Sequence, residues 1–276
     1  MNPEMPKKAE KPDVKKTAKK DPYSLMNKGE YEVMFSVEDG YWWYSALHHM
    51  ILRLVRRETS GRNPADIKLL DCGCGTGGML AVLKPRFPWT TGFDLSDDAV
   101  KFCHKRGFKD VKKMSVSEIK YPKGRFDVAY SLDVLCNLQL KDFSKALGGI
   151  RAILKPDGVF IFNLPAFNSM QSEHDRAVGI FRRFRRNGLR KELEAAGFEV
   201  EKINYRVSCL FPLIWVIRIM KKGKSAGAKE AHSDLKPLSV PVNGFLTWLF
   251  KLENVIVNYI PAPYGLSVFG VARKKE

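Results

Sequence analysis

Residues 69–78, LLDCGCGTGG, combine a short apolar run, a carboxylate and closely spaced glycines, a pattern suited to holding a nucleotide-like ligand. Gly73, Gly75 and Gly77 follow a predicted strand, and Gly78 opens the next helical segment. Because glycine has no Cβ, such a turn is predicted to present backbone N–H groups to a ligand over the helix N-terminus. The same run satisfies G-x-G-x-x-G, so the glycines alone leave a nicotinamide enzyme open.

Two aspartates narrow the class of ligand. Asp71 stands immediately before the turn, and Asp94 lies at the end of the second predicted strand. A carboxylate at Asp94 can accept both hydroxyls of a ribose, which several classes of cofactor share. Asp71 would repel a pyrophosphate, whereas it would stabilise a sulfonium or an ammonium group beside it. The pair therefore favours a cationic cofactor that carries a ribose.

Candidate acid–base residues lie in two places. His174 and Asp175 follow the fifth predicted strand, at the edge where open α/β sheets bind ligands, so we predict that they act in catalysis. His48, on the first predicted helix, is a second candidate base, and packing as ordinary core is the alternative for that helix face. The aromatic residues predicted to enclose the substrate there are Tyr41, Trp42 and Tyr44.

A dense group of cations opens the helix that follows the fifth strand. It consists of Arg182, Arg183, Arg185, Arg186, Arg190 and Lys191. Arginine binds phosphate and carboxylate through paired hydrogen bonds, so Arg182 and Arg183 are predicted to contact an anionic acceptor. A solvated helix face is the alternative, although cations at the start of a helix are unfavourable unless an anion is present.

The composition points to an anionic partner without identifying it. The 276 residues contain 47 Lys and Arg against 30 Asp and Glu, a net charge of +17, and residues 1–28 carry only eight Lys against four acids. Nucleic acid, an anionic membrane surface and an acidic substrate therefore all stay open. Five cysteines without a C-x-x-C pair predict neither a disulfide framework nor a metal site, which makes a reducing cytoplasm the expected location.

Strand-like and helix-like segments alternate along most of the chain and would position these groups. Strands are predicted at residues 67–71, 89–96, near Val111, 125–135, 159–165, 198–206 and 266–274. The buried face of a helix beginning at Tyr41 is predicted to carry Trp43, Leu47, Met50, Ile51 and Leu54, and that of a later helix Phe143, Leu147, Ile150 and Leu154. This alternation predicts an α/β fold with a mostly parallel sheet covered on both faces.

About sixty residues before the last strand do not fit the alternation. Within residues 244–260, Thr247, Lys251, Asn254 and Asn258 form one narrow polar stripe on an otherwise apolar helix, which therefore needs burial on most sides. It is predicted to cap the domain, with a second subunit or a membrane surface as alternatives. The predicted organisation is a disordered basic tail (1–28), a core with an N-terminal lid helix (29–208), a helical cap (209–265) and the final strand (266–276).

Four segments, in order and spacing, resemble the successive motifs of class I S-adenosylmethionine-dependent methyltransferases. They are LLDCGCGTGG (69–78), GFDLS (92–96), FDVAYSLDVL (126–135) and LKPDGVFIFNLP (154–165). The resemblance covers about residues 38–208 and the last strand. It implies a Rossmann-like, seven-stranded sheet with an antiparallel final strand, and S-adenosylmethionine as the cofactor.

The resemblance also assigns roles to individual residues. It implies that Gly73, Gly75 and Gly77 line the methionine part of the cofactor, that Asp71 supports the turn and that Asp94 holds the ribose. Further positions implied to lie along the cofactor are Leu95, Ser115, Val116, Ser131, Leu132 and Asp133. Many relatives have Asp-Ala where Ser115 and Val116 stand, and many small-molecule members have His where Asn137 stands.

A narrower resemblance concerns the substrate side. YWWYSALHH (41–49), LPAFNSMQSEHDRAVGIFRRF (164–184), LFPLIWVIR (210–218) and PAPYGLSVFGVARK (261–274) are similar to a bacterial subgroup of small-molecule-type methyltransferases whose substrates are mostly unassigned. That subgroup usually has His where Ile180 stands here. The sequence thus predicts methyl transfer to a small-molecule or lipid-like acceptor, with an anionic acceptor as one option. An RNA methyltransferase and a non-catalytic membrane- or partner-binding protein are the alternatives, and peripheral attachment at the inner membrane face stays open.

Overall fold

The computed structural model describes residues 26, 28–172, 175, 178–222 and 238–275. The strands are β1 (Leu69–Cys72), β2 (Thr90–Asp94), β3 (Lys112–Lys113), β4 (Phe126–Leu132), β5 (Leu154–Pro165), β6 (Phe198–Arg206) and β7 (Ser267–Lys274). The helices are α1 (Lys28–Val37), α2 (Trp42–Glu58), α3 (Gly78–Leu83), α4 (Asp97–Lys105), α5 (Leu140–Ile153), α6 (Arg186–Ala195), α7 (Phe211–Lys222) and α8 (Val240–Ile256). The predicted tail lies outside the described residues except for Met26 and Lys28.

All seven strands form one sheet in the order β3-β2-β1-β4-β5-β7-β6. Strands β1 to β5 pair in parallel, and β7 is antiparallel to both of its neighbours, β5 and β6. The Rossmann-like fold class that the sequence predicts is therefore confirmed, including the antiparallel last strand. The strand order reverses direction between β1 and β4, so their carboxyl ends flank the crevice where open α/β sheets bind ligands.

The strands of the sheet centre are buried along their whole length. Every residue of β1 is buried, and six of the seven residues of β4 are. Continuous apolar strands of this kind require helices on both faces, because neither face meets water. Leu47, Met50, Ile51 and Leu54 of α2 supply part of that cover, as their helical spacing predicts, whereas Trp43 is only half-buried.

Some boundaries differ from the sequence prediction. Leu154 is the first residue of β5 rather than part of the preceding helix, so the strand begins five residues before the predicted start at 159. Its first part is irregular, since Asp157 has a left-handed φ of 58°. The strand beginning at Phe198 matches its prediction at both ends, because a glycine precedes it and the alternation is regular.

Helix α1 is an element that the sequence analysis did not predict. It precedes the periodic segment beginning at Tyr41 and packs near α4, with the Phe35 ring stacked on Phe102 at 4.7 Å. Tyr31 of α1 faces inward and is buried. Glu38, the residue just beyond the end of α1, is buried as well. The spacing of Tyr31, Met34 and Glu38 would have indicated one inward face.

Helix α8 packs on α2 through its polar stripe. The Asn243 side chain accepts the Trp42 N–H at 2.9 Å and donates to the Gly40 carbonyl at 2.9 Å. Asn254 is buried and donates to the Ala46 carbonyl at 2.9 Å. Phe250 of α8 is also buried and packs on the Trp42 ring at 4.9 Å, whereas Phe245, Trp248 and Leu252 are exposed on the side away from the domain. Among the described helices, none is long and apolar enough to cross a membrane.

Candidate active site

The glycine turn after β1 has the sharp geometry that its sequence predicts. Gly73 and Gly77 have φ values of 93° and 88°, which L side chains rarely adopt, and Gly77 caps α3. A Cβ on Gly73 would overlap the Val134 side chain, so the turn needs glycine there for space as well as for backbone conformation.

The prediction that this turn offers free N–H donors is wrong for most of its amides. The amides of Gly73 and Cys74 donate to the Phe93 carbonyl at 2.9 Å, and Gly77 donates to the Cys74 carbonyl at 3.0 Å. Gly75 donates to Asp94 at 2.9 Å, and Gly78 donates to a carboxylate of another helix. The turn therefore allows close approach of a ligand, but these five amides do not form a phosphate cradle.

Asp71 is buried at the end of β1 and lines the cavity beside the turn. Burial raises its pKa well above the ordinary range of a carboxyl, the neighbouring Tyr130 hydroxyl lowers it, and the negative charges of Asp94 and Glu38 raise it further. A buried carboxylate in a cavity wall fits a cationic or hydrogen-bond-donating ligand group.

Asp94, at the end of β2, is held rigidly. Its Oδ2 accepts the Gly75 N–H at 2.9 Å, and its Oδ1 accepts the Ser96 N–H at 2.9 Å. Burial raises the pKa of Asp94, while these backbone hydrogen bonds lower it. Asp94 lines the cavity, as do Leu95, Ser115 and Val116.

A third carboxylate, Glu38, closes the turn from α1 and was missed by the sequence analysis. It accepts hydrogen bonds from the Thr76 hydroxyl and from the Gly78 N–H, the latter at 3.1 Å, and pairs with Arg106. Burial raises its pKa to about 7. Because its partner residues lie about forty positions away in the chain, no local pattern revealed this contact.

A cavity of about 410 Å³ extends from the glycine turn and the end of β2 to α2 and the segments after β4 and β5. The first part is called the cofactor half, and the second part is called the acceptor half. Tyr41, Trp42, Tyr44 and His48 line it from α2 and the residue before it, as their sequence positions predict. Burial lowers the pKa of His48 to about 4, so its imidazole is neutral at pH 7. No group of three or more His, Cys, Asp and Glu side chains suited to a metal occurs in the described ranges.

Asp133, which the resemblance implies to pass by the cofactor, lines the cavity, and the sequence assigned it no catalytic role. It follows β4 with a left-handed φ of 56°, and the Asn163 side chain of β5 donates to its Oδ1 at 3.0 Å. Burial raises its pKa to about 6, against the lowering effects of Arg206, this hydrogen bond and Arg183. A carboxylate with this pKa is ionised at pH 7 and can accept a proton.

Arg206 is fully buried behind this part of the site, at the end of β6. Its Nε donates to Asn254 of α8 at 3.2 Å, and its guanidinium lies 5.2 Å from the Trp43 ring. Burial lowers its pKa to about 10, while Asp133 and Glu253 favour the charged form. The Arg206 guanidinium thus favours the ionised form of Asp133. The residues of this group come from the ends of β4 and β6, from β5 and from α8, which are far apart in the sequence.

The cationic cluster is largely paired within the chain. Arg183 lines the cavity and forms a bidentate ion pair with Asp175, with distances of 2.6 and 2.7 Å. Arg182 pairs with Glu192, stacks on the rings of Phe143 and Phe184, and is not among the residues that line the cavity. Side-chain direction could not be inferred from the run of arginines alone.

Several other predicted positions lie away from the cavity wall among the described residues. Asp175 accepts hydrogen bonds from Arg183 and does not line the cavity. Gly77 is the N-cap residue of α3 and does not line the cavity either. The Ser131 hydroxyl donates to the Cys72 carbonyl at 2.9 Å and joins β4 to β1. Leu132 does line the cavity. His174 lies outside the described residues.

Comparisons with known proteins agree with this geometry. A family model described as a methyltransferase domain matches residues 44–203. An uncharacterized protein of Methanocaldococcus jannaschii is 31% identical over 115 residues, covering 41% of this chain and 43% of that protein. A trans-aconitate 2-methyltransferase of Deinococcus radiodurans is 29% identical over 128 residues, covering 42% of this chain and 48% of that protein.

The matched segments span less than half the length of these two curated relatives. Among solved structures, a SAM-dependent methyltransferase from Archaeoglobus fulgidus superposes with a TM-score of 0.55 at 20% identity. That alignment covers 83% of this chain and 94% of the other. At this level of identity the likeness concerns the fold alone.

Proposed function

Because this chain belongs to the methyltransferase domain family, we propose that it transfers a methyl group from S-adenosylmethionine to a small-molecule or lipid-like acceptor. The observation that carries this proposal is the buried carboxylate of Asp71, which lines the cavity beside a glycine turn. A pyrophosphate would meet Asp71, Asp94 and Glu38 together, and the amides that could bind it are already engaged. These features disfavour a dinucleotide and suit a cationic cofactor.

The chain's own residues divide the task of holding that cofactor. Asp71 would bind its ammonium group, and Asp94 would accept hydrogen bonds from its ribose hydroxyls. Leu95, Ser115 and Val116 line the adjoining part of the cavity and would contact the adenine. When bound, the cofactor supplies a methyl group made electrophilic by the sulfonium. The protein's remaining work is to orient the acceptor and to exclude water.

The acceptor half combines aromatic walls with a cation. Tyr41, Trp42 and Tyr44 line one side, and Arg183 is held in place by Asp175. This arrangement suits an acceptor with an apolar body and an anionic group. One curated relative is a trans-aconitate methyltransferase, a name that gives a small-molecule acceptor. Asp175 is then a positioning residue, acting through Arg183.

For a hydroxyl or protonated amine acceptor, Asp133 is the group best suited to receive the proton. Its pKa of about 6 leaves it ionised at pH 7, whereas His48, with a pKa of about 4, is a weaker base. Asn163 and Arg206 stabilise the ionised Asp133 carboxylate. A hydroxyl acceptor would give its proton to Asp133 as an oxygen lone pair forms the bond to the methyl carbon and the methyl–sulfur bond breaks, with its electron pair left on sulfur. A protonated amine would first give its proton to Asp133, which frees the lone pair for the same attack.

Helix α7 supports the proposal of a cap over this half of the site. Ile214 and Arg218 line the cavity from α7, and Arg218 donates to the Met170 carbonyl in the segment after β5. Phe211 stacks on Tyr264 at 5.1 Å and packs against Phe167. A helix held at Phe211 and at Arg218 in this way would shield the acceptor from water.

Calorimetric titration with S-adenosylmethionine and S-adenosylhomocysteine tests the cofactor assignment without knowledge of the acceptor. We expect both to bind, and Asp94→Ala to weaken both, because the ribose hydroxyls would lose their acceptor. Asp110→Ala is the control, since Asp110 is exposed and pairs with Lys84 away from the cavity. Absence of binding by the unaltered protein would refute the proposal.

A further inference from the structure

An apolar surface formed by α7 and α8 is the largest feature that methyl transfer leaves unexplained. Among the described residues, 16 of the 20 exposed large apolar side chains lie between positions 213 and 264. Val240, Phe245 and Trp248 are 86%, 58% and 60% exposed. Soluble surfaces rarely expose so many neighbouring apolar side chains, and such concentrations mark contact with a partner or a lipid phase.

The orientation of α8 shows that this exposure follows from specific contacts. Asn243 and Asn254 turn the polar stripe toward α2, and Asn258 turns toward β6, where it accepts from Lys202. Phe245, Trp248 and Leu252 recur at helical spacing on the opposite side and are exposed. The buried hydrogen bonds thus fix an apolar outer face that the domain itself does not cover.

Helix α7 presents a second apolar face beside the cavity. Ile214 and Arg218 line the cavity, while Leu213, Val216 and Ile217 on the same helix are exposed. One helix therefore separates the acceptor half of the site from the apolar surface. An acceptor with a hydrocarbon body would meet this surface before it reached the cavity.

The charge of the surface selects the kind of partner. In the described residues from 207 to 222 and from 238 to 266, Glu253 is the one acidic residue. It is buried and accepts the backbone N–H groups of Ser208 and Cys209. The sequence of α7 ends in Lys221 and Lys222. An apolar surface whose sequence ends in lysines and that has no exposed carboxylate in these described ranges is complementary to anionic lipid headgroups over an acyl layer.

We propose that the exposed faces of α7 and α8 dock onto an anionic membrane surface and that the acceptor is drawn from that membrane. Trp215 and Trp248 suit this location, because an indole combines a large apolar body with one polar N–H group. The docking statement stands on the surface alone, whereas the choice of acceptor rests on the proposed methyl transfer.

Vesicle flotation of the full chain tests the docking. We expect it to float with vesicles of phosphatidylcholine and phosphatidylglycerol, less well in high salt, and poorly with phosphatidylcholine alone. Trp248→Ser should lower partitioning by about tenfold, as expected for one large side chain leaving an apolar layer. Trp89→Ser is the matched control, since Trp89 is 63% exposed but lies just before β2.

The outcomes separate this inference from the proposed function. Failure of the unaltered protein to float, or equal loss in Trp248→Ser and Trp89→Ser, would overturn the docking. A dimer that Trp248→Ser dissociates, without flotation of the unaltered protein, would make the surface a contact between copies instead. Cofactor binding is measured on the same samples, so a protein that floats without binding S-adenosylmethionine would refute only the methyl transfer.

The origin of the acceptor needs a separate measurement. Radiolabelled S-adenosylmethionine is supplied with vesicles of a total bacterial polar-lipid extract or with the water-soluble fraction of the same cells. Label in the lipid phase, reduced in Trp248→Ser and retained in Trp89→Ser, is the expected result. Label confined to the water-soluble fraction would overturn a membrane-borne acceptor while leaving methyl transfer intact.

Discussion

Replacement of Asp71 by Asn tests whether its buried carboxylate binds the cationic part of the cofactor. The substitution keeps the shape of the side chain and removes its charge, and Asp71 lines the cavity beside the glycine turn. The resemblance to methyltransferases implies that the methionine part of the cofactor lies along this turn. S-adenosylmethionine and S-adenosylhomocysteine share the ammonium group, so we expect Asp71→Asn to weaken both.

The size of the effect follows from burial. Two opposite charges about 4 Å apart attract by about 4 kcal/mol at the effective dielectric constant of a protein site. Burial raises the pKa of Asp71, so part of this attraction is offset by the cost of ionising the carboxyl. A net loss of about 1.5–3 kcal/mol, typical of hydrogen bonds to charged groups, corresponds to roughly 10- to 100-fold weaker binding.

The same reasoning predicts proton release. A carboxyl with a raised pKa holds its proton to higher pH in the free protein, and a bound cation lowers that pKa again. Binding should therefore release up to about one proton and should tighten as pH rises through the pKa of the free protein. Asp71→Asn should remove this contribution and flatten the pH dependence.

Calorimetry in buffers of different ionisation enthalpy measures the affinity and the released protons together. Asp110→Asn is the matched control, because its carboxylate is exposed and distant from the cavity. Circular dichroism establishes that the variants are folded. Unchanged affinity and unchanged proton release in Asp71→Asn would refute the role assigned to this carboxylate. An equal loss in Asp110→Asn would show that net charge, and not the buried oxygen, controls binding.

Three further substitutions test other charged groups. Glu38→Gln should reduce the loss of stability between pH 5 and pH 8 by about 3 kcal/mol in denaturant titrations, because a raised pKa makes ionisation at high pH unfavourable to the fold. Asp127→Asn should lower the free energy of unfolding at pH 7 by about 2 kcal/mol, and less in acid, since Asp127 has a lowered pKa and bonds Lys155. Asn163→Ala should raise the pKa of Asp133 by about 1 unit in carboxyl NMR titrations, through loss of the hydrogen bond to its ionised form.

The cofactor half of the site was predictable because its determinants are local. Asp71 and the glycines belong to one strand–turn–helix unit, and Asp94 ends the next strand, paired beside β1. Parallel pairing alone brings these residues to one edge of the sheet. What the sequence could not indicate was the use of the turn's amides, since their acceptors are the Phe93 carbonyl and the carboxylates of Asp94 and Glu38.

Helix α1 illustrates how a short element escapes sequence reasoning. Its residues show only a weak apolar face next to a charged segment, and its packing depends on contacts with α4 and the glycine turn. Glu38 is an ordinary surface residue by type, yet it is buried because Thr76, Gly78 and Arg106 surround its carboxylate. Such a position is decided by partners elsewhere in the chain and not by local propensity.

The acceptor half is harder to predict because distant segments build it. Asp133 follows β4, Asn163 lies on β5, Arg206 ends β6, and Asn254 reaches them from α8. Each has an unremarkable local pattern, and their relation appears only when β7 inserts between β5 and β6 and α8 packs on α2. A fold can therefore preserve its cofactor turn while these separate segments change, and substrate identity must be argued from the side chains of this half.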